Sequence, residues 1–132
     1  MVVTWKPSQG IRNINCLRSF FLVIETIKSL REKYLTKYSI IPHFSAAFHI
    51  GTVIIGQVGD VKSQIVLSGP ALYEGNIIEK KCRELGCSHL ISHQLMEKLE
   101  LPKFFKETQV GEINTTSSGP IKLFTVKTID KL

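Results

Sequence analysis

The hydrophobic pattern in the middle of the chain changes from alternation to a helical period. Residues 44–50 alternate apolar with small or polar side chains, which is typical of a half-buried strand. Two further strands follow, joined by a predicted turn at residues 59–62. A helix then begins at Pro70 and has its natural stop at Gly86. A pair of antiparallel strands followed directly by a helix favours a fold that mixes strands and helices.

The rest of the chain adds a long helix before this unit, and a strand, a short helix and a hairpin after it. The predicted strands are residues 2–5, 44–50, 53–58, 64–67, 87–91, 106–113 and 121–127. The predicted helices are residues 15–37, 70–85 and 92–99, the last of them capped by Ser92. This order predicts an α+β fold with one sheet covered by helices on one face.

The composition limits the classes of protein that the chain can represent. Its 132 residues suit one domain, and 43% hydrophobic against 21% charged residues exclude a wholly disordered chain. It lacks a run of about 18 apolar residues, so no membrane span is predicted. The net charge of +6 favours anionic partners such as nucleotides, nucleic acid or acidic lipid. Cys16, Cys82 and Cys87 are odd in number and lack CxxC spacing, which favours a reducing, cytoplasmic compartment.

The residue types that carry catalysis do not fall into a catalytic pattern. The glycines of residues 51–59 lack the following Lys-Ser/Thr of a phosphate-binding loop and indicate bulges or close backbone approach. His89 and His93 have the spacing of a helical metal pair, but they straddle a predicted strand-to-helix junction. His43 and His49 are interpreted as packing or surface histidines. Two-metal chemistry needs paired carboxylates on adjacent strands, and the predicted strands offer no such pair.

Several motifs, in order along the chain, resemble the catalytic domains of class III adenylate and guanylate cyclases. The first is the strand and hairpin segment Ala47-Phe48-His49-Ile50-Gly51-Thr52-Val53-Ile54-Ile55-Gly56-Gln57-Val58-Gly59. The later ones are Ser68-Gly69, Leu90-Ile91-Ser92, Val110-Gly111-Glu112-Ile113 and Pro120-Ile121-Lys122-Leu123-Phe124. The resemblance is good over residues 44–99, fair over 105–126 and weaker over the first forty.

This resemblance implies a ferredoxin-like sheet with helices on one face and a dimer whose active sites form across the interface. In such domains two aspartates on early strands hold two metal ions, magnesium or manganese. An Asn and an Arg on the helix after the hairpin position the ribose and stabilise the transition state. A strand residue helps to read the purine, and a Lys near the last hairpin contacts phosphate. The catalysis is electrostatic and depends on these charges.

The chain departs from the family pattern at each of these positions. The resemblance places Tyr73 where the family has Asn, Ile77 where it has Arg, and Thr116 near the phosphate-binding Lys. Val66 takes the purine-reading position and has no polar group there. The early strands with the metal-binding aspartates have no counterpart, so residues 1–132 are expected to form one incomplete cyclase homology domain. We therefore expect no metal cofactor and doubtful nucleotide binding.

Three functions remain open at this point. The first is an inactive module that dimerises with itself or with another cyclase domain, and Tyr73 and Ile77 form either an apolar contact pair or a site that has simply drifted. The second is a fragment of an active adenylate cyclase that converts ATP to cAMP and pyrophosphate. The third is a basic ferredoxin-like domain that binds nucleic acid, which the pattern does not favour because the predicted sheet lacks clearly paired exposed aromatic residues.

Overall fold

The computed structural model describes residues 2–40, 44–58 and 64–128, with backbone alone at 57–58 and 64–66. The helices are α1 (Pro7–Gly10), α2 (Asn15–Ser29), α3 (Arg31–Tyr38), α4 (Pro70–Leu85) and α5 (His93–Met96), with a short 3-10 turn at Arg12–Ile14. The strands are β1 (Ala46–Phe48), β2 (Ile54–Val58), β3 (Gln64–Ser68), β4 (His89–Ser92), β5 (Phe105–Thr115) and β6 (Gly119–Thr128).

The strands form a four-stranded sheet and a separate two-stranded ribbon. The sheet has the order β1-β4-β6-β5, in which β1 and β4 are parallel and the other neighbours are antiparallel. Strands β2 and β3 pair antiparallel, from Ile54 opposite Ser68 to Val58 opposite Gln64. The prediction of an α+β fold is confirmed. The turn predicted at residues 59–62 lies outside the described residues.

Helices pack against both faces of the four-stranded sheet. Leu90 and Ile91 are adjacent in β4 and therefore point to opposite faces. Leu90 joins a buried cluster with Ile78 and Cys82 of α4, while Ile91 joins another with Leu17 of α2. The expectation that helices cover one face is corrected here. The physical reason is that the apolar stripe of the N-terminal helix needs its own partner surface, and the second face of the sheet supplies it.

Two predicted N-terminal elements differ from the structure. Residues 2–5, predicted as a strand, are exposed and unpaired with the described strands. The helix predicted over residues 15–37 is divided at Leu30, whose backbone angles are non-helical. The hydroxyl of Ser29 donates to the carbonyl of Thr26 at 2.7 Å beside this break. Such local bonds compete with the helical ladder and favour a helix end.

The central and C-terminal elements follow the prediction more closely. Helix α4 begins at Pro70 and ends at Gly86, which has a φ of 68°. Ser92 caps α5 through a bond from the Leu95 amide. Residues 114–119 follow the predicted strand 106–113, and the structure makes them the ends of β5 and β6 and the tight turn between the two strands, hereafter the β5–β6 turn. Within the described residues, the helices lack the combination of length and apolarity that a membrane crossing requires.

Candidate functional site

The first turn of α4 is fixed against the chain that follows β1. The Ala71 amide donates to the Thr52 carbonyl at 3.2 Å. Gly69 has a φ of 116°, and a Cβ at this position would lie 2.9 Å from the Thr52 carbonyl oxygen. Only glycine fits this combination of positive φ and close approach. At Gly51 a Cβ would lie 3.1 Å from the Ala71 Cβ, so the absence of a side chain there also permits the contact.

This packing brings His49 against a buried carboxylate on α4. The His49 Nε2 lies 2.9 Å from the Glu74 Oε1, and both side chains are almost fully enclosed. The opposite ring nitrogen, Nδ1, lies 2.7 Å from the Oγ of Ser92 at the end of β4. A buried charge is tolerated when it is paired and hydrogen-bonded, and this arrangement meets both conditions.

The second carboxylate oxygen of Glu74 faces the β5–β6 turn. The Ser117 hydroxyl donates to Oε2 at 3.0 Å. The Thr115 hydroxyl lies 3.5 Å from the same oxygen but only 3.0 Å from the Gly119 carbonyl, so its single proton favours the carbonyl. We name these five residues, Ser92, His49, Glu74, Thr115 and Ser117, the Glu74 cluster. It joins α4 to the chain after β1, to β4 and to the β5–β6 turn.

The hydrogen bonds of the Glu74 cluster indicate its protonation state. Burial alone would raise the pKa of Glu74, but bonds from Ser118, His49 and Ser117 and the charge of His49 outweigh burial and lower that pKa. An ionised Glu74 can only accept, so the Nε2 of His49 carries a proton and donates it at 2.9 Å. In a neutral imidazole the opposite nitrogen, Nδ1, then accepts from the Ser92 hydroxyl at 2.7 Å, while the Ser92 Oγ accepts from the Leu95 amide at 3.4 Å.

A serine, a histidine and a glutamate in a hydrogen-bonded row also occur in hydrolases, but the geometry here does not suit nucleophilic attack. Ser92 has 0% of its surface exposed and its oxygen caps α5, so a substrate has no access to it. A nucleophile must reach a reacting atom, and this hydroxyl reaches only protein groups. The Glu74 cluster therefore orients and fastens structural elements.

The residues at the family's catalytic positions differ in how far they are exposed to solvent. Tyr73 is 55% exposed on the first turn of α4. Ile77, one turn later, is half-buried and packs against the cluster that contains Ile78. Thr116 is exposed in the β5–β6 turn. Val66 pairs with Gly56 through its backbone, and its side chain lies outside the described residues. The roles assigned to these four positions stay predictions.

The histidines occupy packing positions. His49 was interpreted as a packing or surface histidine, and the structure places its side chain in the interior. His89 and His93 do not share a face: His89 accepts from the Val126 amide at 3.1 Å, and His93 accepts from the Lys122 amide at 3.0 Å. Burial lowers the pKa of His89, although its bond to Val126 partly opposes this shift. His43 lies outside the described residues.

A cleft of about 570 Å³ opens between α5 and the outer part of the β5–β6 hairpin. It is lined by side chains of both signs and by apolar groups, namely His93, Met96, Glu97, Glu107, Glu112, Pro120, Lys122 and Phe124. Over residues 2–40, 44–58 and 64–128, no three His, Cys, Asp or Glu side chains are arranged to hold a metal ion.

Sequence reasoning missed Glu74 and Ser92 as partners of His49. Both were assigned to elements by pattern alone, Glu74 among the helix carboxylates and Ser92 as a cap. One signal was available, because Glu74 lies three residues after Ala71 and four before Ile78 on the predicted apolar face of α4. A carboxylate on such a face is buried and requires a partner.

Comparison with known proteins finds similarity to a curated protein and to a solved structure. The chain is 28% identical over 118 residues to Adenylate cyclase 2 of Rhizobium meliloti (strain 1021), a match that covers 89% of this chain and 32% of that protein. The chain thus spans about a third of the length of this relative. No family model matches the chain.

The solved structure is that of a bacterial light-regulated adenylyl cyclase. It superposes with a TM-score of 0.47 and 20% identity, over 63% of this chain and 23% of the other. The ordered motifs from residue 47 to 124 and the match to a curated adenylate cyclase over most of the chain agree with each other. These 132 residues form a domain of α+β architecture that resembles class III cyclase catalytic domains in sequence.

Proposed function

We propose that this domain is a catalytically inactive cyclase homology domain that acts in cyclic-nucleotide signalling as a dimerisation or regulatory module. The observation that carries the proposal is the character of α4 at the family's Asn and Arg positions. Tyr73 there is largely exposed, and Ile77 is half-buried against the cluster that contains Ile78. Residues 1–132 act as one cyclase homology domain in the cytoplasm, without a metal cofactor of their own, and we expect them not to bind nucleotide tightly.

The side chains on α4 and in the β5–β6 turn supply no positive charge at these positions. Ile77 lacks the guanidinium that would neutralise phosphate charge, and the half-buried site leaves little room for a long polar side chain. Thr116 offers a hydroxyl in place of an ammonium group. Loss of one such electrostatic stabiliser typically costs about 3–4 kcal/mol of transition-state stabilisation. Since these groups act together, the joint loss supports an inactive domain.

The exposed apolar side chains of the β2–β3 ribbon favour the proposal that a partner chain binds there. Ile54 is 57% and Ile55 68% exposed, and adjacent strand residues point to opposite faces. Both faces of the ribbon thus leave a large apolar side chain open to solvent. A two-stranded ribbon is at best marginally stable in water without packing. We propose a second copy of this chain or another cyclase domain as the group that covers it, with Tyr73 on the same contact surface.

Two measurements test the proposal. The purified chain, assayed with ATP or GTP and manganese, is expected to form no cyclic nucleotide. Turnover that a Tyr73 or Ile77 substitution abolishes would refute the inactive assignment.

Light scattering across micromolar concentrations is expected to show a dimer, which Ile55→Lys dissociates. The matched control is Leu22→Lys, at another exposed apolar residue, on α2. A strict monomer that also fails to bind a complete cyclase domain would count against the module.

A second candidate is a fragment of an active adenylate cyclase that converts ATP to cAMP and pyrophosphate. Its support is the name of the relative and the third of that protein's length that the chain spans. In this case magnesium or manganese would be held by residues encoded elsewhere. The test is the reading frame upstream of Met1. Aspartate-bearing strands there, together with manganese-dependent cyclase activity in the extended protein, would favour this candidate over the inactive module.

A further inference from the structure

We propose that Glu74 is a positioning residue that fastens the β5–β6 turn to α4, and that Ser92 and His49 act through it by fixing one tautomer of the imidazole. The turn carries Thr116 and α4 carries Tyr73. Glu74 thereby sets the position of one candidate site residue relative to the other. The choice of Thr116 and Tyr73 as the site residues rests on the proposed function.

The first step is the bond between the turn and the carboxylate. Ser117 is exposed apart from its hydroxyl contact, yet that hydroxyl lies 3.0 Å from the Glu74 Oε2. Within the turn, the Ser118 amide donates to Thr115 Oγ1, which in turn bonds the Gly119 carbonyl. The turn is thus closed by its own bonds, and Ser117 fastens it to α4. A hydrogen bond to an ionised acceptor is stronger than one between two neutral groups, so the bond from Ser117 to Glu74 is well suited to fasten the turn.

The second step is the fixed tautomer. Since the ionised carboxylate only accepts, a neutral His49 holds its proton on Nε2, directed at Glu74 Oε1, and presents Nδ1 to the Ser92 hydroxyl as an acceptor at 2.7 Å. The Ser92 bond thus supports this tautomer and holds the ring in the orientation that faces Glu74. Loss of the Ser92 hydroxyl would leave the buried Nδ1 without its donor and loosen the position of the His49 ring. The effect would reach the turn, which the Ser92 side chain does not contact in the hydrogen bonds described.

The first arm of the test measures the turn directly. Amide exchange at Ser118 is followed by NMR in the whole chain and in Ser117→Ala. We expect exchange to accelerate by about tenfold, the effect of losing one hydrogen bond of about 1.4 kcal/mol. The control is Thr116→Ala, which removes a neighbouring hydroxyl of the same turn and is expected to leave the exchange rate within about twofold of the parent. Equal rates in Ser117→Ala and the parent would show that the Ser117 bond to Glu74 does not fasten the turn, which would overturn this step of the proposal.

The second arm measures the action of Ser92 at a distance. Nitrogen chemical shifts of His49 in the parent are expected to show a protonated Nε2 and an unprotonated Nδ1. Ser92→Ala is expected to shift the Nδ1 resonance, because this nitrogen loses its hydrogen-bond donor, and to accelerate Ser118 exchange, whereas Ser92→Thr, which keeps the hydroxyl, is expected to restore both. A parent with the proton on Nδ1, or a Ser92→Ala variant with unchanged shifts and exchange, would overturn the relay.

Both arms use the chain alone, without nucleotide or partner. Unchanged exchange rates and shifts would contradict the positioning role but not the inactive-module proposal. Cyclase activity would contradict the inactive module but not the positioning role.

Discussion

His49 donates from Nε2 to a carboxylate oxygen of Glu74 at 2.9 Å, and the two side chains are 5% and 4% exposed. The pair links residues that are 25 positions apart in the sequence. It lies between α4 and the chain that follows β1, at the base of the β2–β3 ribbon. A contact of this kind stabilises one relative position of the two elements and disfavours others, because moving either residue leaves a buried polar group without its partner.

Removing one member of this pair is expected to destabilise the fold strongly. His49→Ala leaves a buried carboxylate without its main partner, and the expected loss is about 3–5 kcal/mol in the free energy of unfolding. The measurement is urea denaturation followed by circular dichroism. Arg83→Ala is the matched control, because Arg83 pairs with Glu79 at 2.9 Å on the exposed side of α4 and such surface pairs contribute about 0–1 kcal/mol. Similar losses in both variants would contradict the buried pair.

The stability of the chain is expected to fall on the acidic side in two windows. Burial lowers the pKa of His89 from its ordinary value of 6.5, so its unfolded form binds the proton first. The associated stability is fully present above 6.5 and is lost as pH falls through the lower folded value. The pKa of Glu74 is also lowered, so its contribution is present above about 4.5 and is lost below it.

The first window can be isolated with His89→Gln, which keeps a side-chain acceptor for the Val126 amide but does not titrate there. The free energy of unfolding of the parent should decline as the pH falls below about 6.5, and that of the variant should decline less over the same range. Parallel slopes in the two proteins would show that His89 is not the source of the decline.

The sequence predicted those parts of the fold that depend on local chemistry. Pro70 and Gly86 set the ends of α4, and Ser92 set the cap of α5, because each acts through its own backbone or a residue three positions away. The Tyr73 and Ile77 positions were located by resemblance over the same local stretch. These features need no knowledge of which elements meet in space.

The features that sequence reasoning missed depend on distant contacts. Glu74 and Ser92 meet His49 only after β1 and β4 pair in parallel and α4 packs across them. The break at Leu30 has a local cause instead, the bond from Ser29 to the Thr26 carbonyl, which the periodicity of residues 15–37 does not report. A pattern gives the face of an element, and the partner of that face is decided by the tertiary fold.

Substitution of two glycines is expected to change stability in opposite directions. Gly69→Ala places a Cβ 2.9 Å from the Thr52 carbonyl oxygen at a φ of 116°, and the expected loss is about 1–3 kcal/mol. Gly75→Ala places its Cβ in open space within α4, where alanine is expected to add about 0.5–1 kcal/mol. Thermal denaturation of both variants is the measurement. A tolerated Gly69→Ala would mean that the junction between β3 and α4 differs from the one described.

The three thiols are expected to react at different rates with an alkylating reagent. Burial raises the pKa of Cys82 to about 11, and its Sγ lies 3.1 Å from the Cys87 carbonyl, to which it donates. At pH 8 only about one in a thousand such thiols is ionised, and the thiolate is the reactive form. Burial also raises the pKa of Cys16. Cys87 is only half-buried and should be modified first. Peptide mass spectrometry after iodoacetamide treatment, with a sample in urea as the control for full reactivity, gives the order. Early modification of Cys82 under native conditions would show that α4 does not stay packed against β4 in solution.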